Sequence, residues 1–273
     1  MKTIHPYLDS DIPMVLAHRG DSAHAPANTM PAFVKAVEAG ADALETDIHW
    51  TKDGHIVVCH DDVVDWVSDG TGAIRDKTLD ELKQLDFGYR FTPDSGQTHP
   101  YRGQGVTIVT LRELLCEFPT VRVNMDVKPK EPVSLKSLIA EIYQCEAEFR
   151  VLVASFHQEV LQRFRQMNAR IATSAAVSEV ARFWLRVQFN LKPSHNLPYQ
   201  ALQVPNKASR LKVVTPRFVK AAHASSQKVH VWTVDDEWEM KQLLALGVDG
   251  IVTNDPQLAV RVRDQQLLSQ AIS

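Results

Sequence analysis

Apolar and polar positions fall into alternating blocks along most of this chain. Short apolar runs predict strands, and stretches with apolar positions three and four apart predict helices. The first strand is expected at Met14–Ala17. A helix should follow from Thr29 to Ala39, with Asn28 and Thr29 as cap candidates, Pro31 in the first turn and Gly40 as the stop. The second strand, Ala43–Ile48, runs into Lys52-Asp53-Gly54, a turn signal that sends the chain back along Ile56–Cys59. With Asp53-Gly54 at the tip, Trp50 should face Val57, Ile48 face Cys59 and Asp47 face His60.

From about Asp62 to Val109 the blocks lose their regularity. Glycines recur and one helical stretch, Leu79–Leu85, stands out, so 62–109 reads as an insertion after the hairpin. Regular order resumes with helix Leu111–Phe118, strand Val121–Val127, helix Ser134–Cys145, strand Val151–Phe156 and helix Gln158–Met167. Strand Ile171–Thr173, helix Val177–Phe189 and a polar stretch, Lys192–Tyr199, come next. Strand Ala201–Val204, helix Pro216–Ser225, strand Val229–Val234, helix Asp236–Leu246, strand Gly250–Thr253 and helix Pro256–Arg263 complete the order. Setting the hairpin return aside, eight strands each precede a helix. That count predicts an α/β fold, a TIM (β/α)8 barrel in one domain spanning 1–273. A doubly wound open sheet is the runner-up, weakened by the lack of a GxGxxG run after the first strand.

The C-terminal ends of barrel strands form the active face of such folds, so the polar residues placed there carry the chemical reading. His18-Arg19-Gly20 follows the first strand, Glu45-Thr46-Asp47 ends the second, and His60-Asp61 ends the hairpin return. Asp126-x-Lys128 closes a further strand. Glu45 and Asp47, two apart, lie on one strand face and can reach one ion. A set of Glu45, Asp47 and Asp126 suits a hard divalent cation, Ca²⁺ or Mg²⁺. Arg19 and Lys128 suit phosphoryl oxygens, and His18 and His60 can divide acid and base work. The residue types leave open which histidine is acid, and whether water or a neighbouring hydroxyl attacks. Single histidines at strand ends are more often caps or surface residues; the grouping is what favours catalysis. Trp232 and Phe156 read either as rim aromatics against substrate or as core.

Composition narrows the class. The net charge of −3 and pI near 6.4 argue against a nucleic-acid groove. No apolar run is long enough to span a bilayer, and Met1–Tyr7 has no secretory apolar core. Three cysteines without a CxxC pattern fit reduced thiols in a cytoplasmic protein. Nothing in the sequence fixes an oligomeric state. A sugar-cleaving barrel fits poorly, because Glu45 and Asp47 on one strand cannot flank a glycosidic bond from opposite faces.

These motifs carry a family likeness. The runs His18-Arg19-Gly20, Pro26-x-Asn28-Thr29, Gly40-Ala41-Asp42-x-x-Glu45-x-Asp47, Thr51-x-Asp53-Gly54, His60-Asp61, Asp126-x-Lys128, Trp232-Thr233-Val234 and Gly247-Val248-Asp249-Gly250 occur in order along nearly the whole chain. The chain resembles the glycerophosphodiester phosphodiesterases. The resemblance implies a TIM barrel that hydrolyses a glycerol phosphodiester to an alcohol and a glycerol phosphate with one bound divalent cation. It implies His18 and His60 as the acid/base pair, Glu45, Asp47 and Asp126 as metal ligands, and Arg19 and Lys128 at the phosphate. Three positions depart from the pattern: Ala27 where the family has glutamate, Asp126 where the third ligand is usually glutamate, and Val109 in place of a proline. Asp126 and the Arg182–Phe189 helix resemble the lysophospholipase D branch, whose substrates are lysophospholipids. A catalytically silent binding module on the same barrel is the competing class.

Overall fold

The first strand sets the pattern of the molecule. In β1 (Met14–His18) Met14 and Leu16 point into the barrel while Val15 and Ala17 pack outward against helices. This alternation of period two assigns His18 to the inside. The same rule acts in β2 (Ala43–Trp50): Ala43 lies in the interior cluster, Leu44 and Ile48 in the helix-facing one, so Glu45 and Asp47 point inward. The computed structural model describes residues 4–130, 134–191, 194, 196–209 and 211–272.

Between these strands lies α1 (Met30–Glu38). After β2 come β3 (Ile56–Val58), α2 (Leu79–Lys83), β4 (Val109–Thr110), α3 (Leu111–Glu117), β5 (Arg122–Val127), α4 (Leu135–Gln144), β6 (Val151–Ala154) and α5 (Gln158–Met167). The remainder is β7 (Ala172–Thr173), α6 (Val177–Gln188), β8 (Ala201–Pro205), β9 (Lys207–Ala208), β10 (Leu211–Lys212), α7 (Pro216–Ala224), β11 (Lys228–Trp232), α8 (Glu237–Ala245), β12 (Gly250–Thr253) and α9 (Pro256–Ile272). Parallel strands run β7-β6-β5-β2-β1-β12-β11-β8, and a parallel bridge from Ser174 to Ala201 joins the two ends. That closed order is an eight-stranded TIM barrel and excludes the open doubly wound sheet. Tyr7, in a short 3-10 turn before β1, is fully buried in the interior cluster with Leu16, Ala43 and Val252.

The hairpin differs from its expected register by one residue. Trp50 faces Ile56, His49 faces Val57 and Ile48 faces Val58. The Thr51 N–H bonds the His55 carbonyl, so Lys52–Gly54 form a three-residue loop with Gly54 at φ 87°. Cys59, not His60, therefore stands opposite Asp47, its N–H on the Asp47 carbonyl at 2.9 Å. The stretch 62–109 carries its own small core of Val64, Ile74, Leu82, Phe87, Val106 and Ile108 under β3. β4 ties its end back to β3, and the Tyr101 hydroxyl reaches the His24 carbonyl beside the first barrel loop. The β9–β10 hairpin leaves no mark in the sequence pattern, because two-residue strands carry no periodicity. α9 continues past Arg263 to Ile272, where nothing in the sequence stops it. Part of Lys192–Tyr199 lies outside the described residues.

Candidate active site

Strand register assembles the site. His18 pairs with Glu45 between β1 and β2, and Asp47 pairs with Asp126 between β2 and β5. Four inward side chains from three adjacent strands thus arrive at one rim. The hairpin adds His60, and one cavity of about 650 Å³ is lined by His18, Arg19, Glu45, Asp47, His60, Asp126 and Lys128 together.

The loop after β1 is tightly built. Arg19 adopts φ 59° and its N–H bonds the Glu45 carbonyl at 2.9 Å. Gly20 follows at φ 82°, and a Cβ there would meet the Ala32 carbonyl carbon at 2.6 Å, so only glycine fits. Asn28, expected as a helix cap, does something else. Its Nδ2 donates to Asp47 Oδ2 at 3.1 Å while its Oδ1 accepts from Thr46 at 2.8 Å. Thr29 occupies the cap position.

Three buried carboxylates meet two cations here. Lys128 Nζ lies 2.8 Å from both Asp47 Oδ1 and Asp126 Oδ2, and Arg19 Nε lies 3.2 Å from Asp47 Oδ2. Burial would raise Asp47, but Lys128 and Arg19 outweigh it and hold the carboxyl below its ordinary range. Glu45 is pushed well up, first by burial and then by the charges of Asp47 and Asp126. Burial also lifts Asp126, against the pull of Lys128. Among the described residues no group of three or more His, Cys, Asp or Glu closes into a metal-binding cluster, and the Lys128 ammonium lies between Asp47 and Asp126. The donor chemistry still fits a hard cation. Three carboxyl groups converge on two positive side chains, Asp126 Oδ1 is buried with no partner, and Glu45, lifted by burial and then by its anionic neighbours, would be restored to its charged form by a cation.

The two histidines have different supports. Asn254 Nδ2 and N–H both donate to Asp235, at 2.6 and 2.8 Å, which turns Asn254 Oδ1 toward His18. His18 Nδ1 lies 2.7 Å from that oxygen and must carry the proton. Its Nε2 is then a free lone pair, 4.0 Å from Glu45 Oε2. Burial, followed by the Arg19 charge, lowers the His18 pKa, so the ring is neutral near pH 7. His60 Nδ1 sits 2.8 Å from Asp61 Oδ1 on a half-exposed ring, and the His60 carbonyl accepts from His49.

Phe156 and Trp232 pack edge to face, centroids 6.0 Å apart, on the cavity wall, with Lys128 Nζ 5.7 Å from the Phe156 ring. Asn254, Asp235 and the Asn28 contact to Asp47 had no assigned role in the sequence reading. Asn254 follows the β12 apolar run and Asn28 lies in the Asn28-Thr29 run, but residue types at these places do not announce which side chains they hold.

The Glycerophosphoryl diester phosphodiesterase family model matches residues 18–258. The chain belongs to this family. It is 31% identical over 255 residues to a glycerophosphodiester phosphodiesterase of Caldanaerobacter subterraneus, covering 91% of this chain and 97% of that one. A glycerophosphodiester phosphodiesterase of Bacillus altitudinis is 32% identical over 262 residues, with 92% and 98% covered. Among solved structures, an Oleispira antarctica phosphodiesterase in complex with the product sn-glycerol-3-phosphate superposes with a TM-score of 0.77 at 27% identity, covering 93% and 97%. A glycerophosphoryl diester phosphodiesterase domain from Mycobacterium tuberculosis shares the fold, with a TM-score of 0.82 at 20% identity over 93% and 100%.

Proposed function

We propose that this chain hydrolyses glycerophosphodiesters to an alcohol and glycerol 3-phosphate, with His18 as general base and His60 as general acid. The observation that carries the assignment is the Asp235–Asn254–His18 chain of hydrogen bonds. It fixes the proton on His18 Nδ1 and leaves a basic Nε2 in the cavity shared with the carboxylates. His18 Nε2 takes the proton of the attacking hydroxyl, either of water, which gives glycerol 3-phosphate directly, or of the neighbouring glycerol carbon, which gives a cyclic phosphate that water then opens. His60, oriented by Asp61, gives a proton to the departing alkoxide oxygen. Arg19 and Lys128 offset the charge of the phosphoryl oxygens, Arg19 with a fork suited to two of them.

Glu45, Asp47 and Asp126 would hold one divalent cation, Ca²⁺ or Mg²⁺, whose charge stabilises the anionic transition state. The convergence of three carboxyl groups and the unpartnered Asp126 Oδ1 support this. The odd number of cysteines and the lack of a CxxC pattern support a reducing, cytoplasmic setting; no helix among the described residues is long and apolar enough to cross a membrane.

The test is turnover of glycerophosphocholine by His18→Ala and His60→Ala. Each should fall by roughly 10²–10⁴ in kcat. Unchanged turnover in either removes that residue from the mechanism, and a wild type that turns over no diester returns the chain to a binding module.

One observation favours a second substrate class. Much of the cavity wall is apolar, built by Phe156, Val177, Trp184, Leu185, Leu211 and Trp232. A diester bearing an acyl chain would bury that chain there, which supports lysophospholipase D activity. Side-by-side rates on glycerophosphocholine and lysophosphatidylcholine test it. A kcat/KM higher for the lysophospholipid is expected on this reading, and turnover of glycerophosphocholine alone contradicts it.

A further inference from the structure

The cavity mouth continues outward as an apolar and basic surface that the chemistry above does not use. On α6, Val177, Ala181 and Leu185 recur every fourth residue, Phe189 at the C-cap continues the series, and together they form one exposed stripe, while Phe183 and Val187 face the core. Leu185 and Phe189 are 49% and 73% exposed, too much for core side chains. The β9–β10 hairpin, which also lines the cavity, pairs Ala208 with Leu211 and Lys207 with Lys212. Ala208 and Leu211 line the cavity, so by alternation the two lysines lie together on the opposite, exposed face. Like charges directly across a hairpin are unfavourable in isolation and call for an anionic neighbour.

The sequence strengthens this. From Val180 to Arg217 there is no Asp or Glu, yet seven Lys or Arg occur, in a chain whose net charge is −3. Cations beside exposed apolar side chains are the composition of surfaces that settle on anionic bilayers.

We propose that α6 and the β9–β10 hairpin form a docking face for an anionic lipid bilayer, with the cavity mouth opening onto the lipid. Leu185 and Leu211 belong to both the wall and the exposed face, so apolar side chains continue from the outer surface into the cavity. Phe189 extends the stripe one helical turn beyond the cavity. Docking needs this surface alone and holds whichever diester is cleaved.

The test is co-sedimentation of the full chain with phosphatidylcholine vesicles, with and without phosphatidylglycerol at about a third of the lipid. The wild type should pellet with the anionic vesicles, less at high salt, and weakly with pure phosphatidylcholine. The Lys207→Gln/Lys212→Gln variant should lose roughly 25-fold in partition onto anionic vesicles, at about fivefold per surface cation. Phe189→Asp should weaken binding to both vesicle types. Both variants should keep wild-type turnover of the water-soluble glycerophosphocholine, which shows that they are folded. A wild type that stays in the supernatant, or variants that bind as it does, overturns the proposal. Concentration-dependent self-association abolished by Phe189→Asp, without vesicle binding, assigns the face to a second copy instead. Vesicle binding in a protein without turnover supports docking and counts only against the hydrolytic reading.

Discussion

At the scale of single residues, the site is organised by groups that never need to meet the substrate. Asp235 orders Asn254, and Asn254 orders His18; Asn28 orders Asp47. Replacing Asn254 with Ala removes the acceptor that fixes the His18 tautomer and raises its basicity. We expect kcat to fall by roughly tenfold or more with little change in KM. The acid limb of the pH–rate profile should also move lower, since the hydrogen bond that opposed the burial effect is gone. In the wild type that limb should itself lie below the ordinary histidine value of 6.5, because burial and Arg19 depress His18. An unmoved limb with unchanged kcat would leave Asn254 a purely structural residue. The principal side chains were legible because each ends an apolar run. Asn254 also ends one, that of β12, but its pairing with His18 was not legible, because the two stand 236 positions apart.

At the scale of elements, strand register does the assembling. β1, β2 and β5 were readable from their apolar runs, and period two alone turns His18, Glu45, Asp47 and Asp126 inward. The hairpin was readable as a reversal but not to the residue: a three-residue loop shifts the register by one, and the sequence does not announce loop length. β11 offers a stability test. His230 is fully buried on it, against Gln203, and burial lowers its pKa to about 4. Unfolding releases it to its ordinary value of 6.5, so the unfolded chain binds the extra proton between those values. This contribution is complete above pH 6.5 and is lost progressively as pH falls toward 4, amounting to roughly 3 kcal/mol. Urea unfolding at pH 7 and pH 4.5 should show His230→Gln losing less stability on acidification than the wild type. Equal losses would contradict the neutral, buried state of this ring.

At the scale of the whole molecule, eight parallel strands bring together stretches far apart in sequence, and the 62–109 segment closes beside them. The barrel was legible because eight apolar runs alternate with helical periodicity. The Ser174–Ala201 closure and the β9–β10 hairpin were not, since neither extends beyond two residues a strand. In the proposed mechanism His18, His60 and the three carboxylates act on one phosphodiester. A crystal structure of the full chain grown with Mg²⁺ or Ca²⁺ and glycerol 3-phosphate tests it most directly. We expect the cation on Glu45, Asp47 and Asp126, with the phosphate in contact with it, with Arg19 and with both histidines. A phosphate bound away from the two histidines, or a cation held without those carboxylates, would contradict the account.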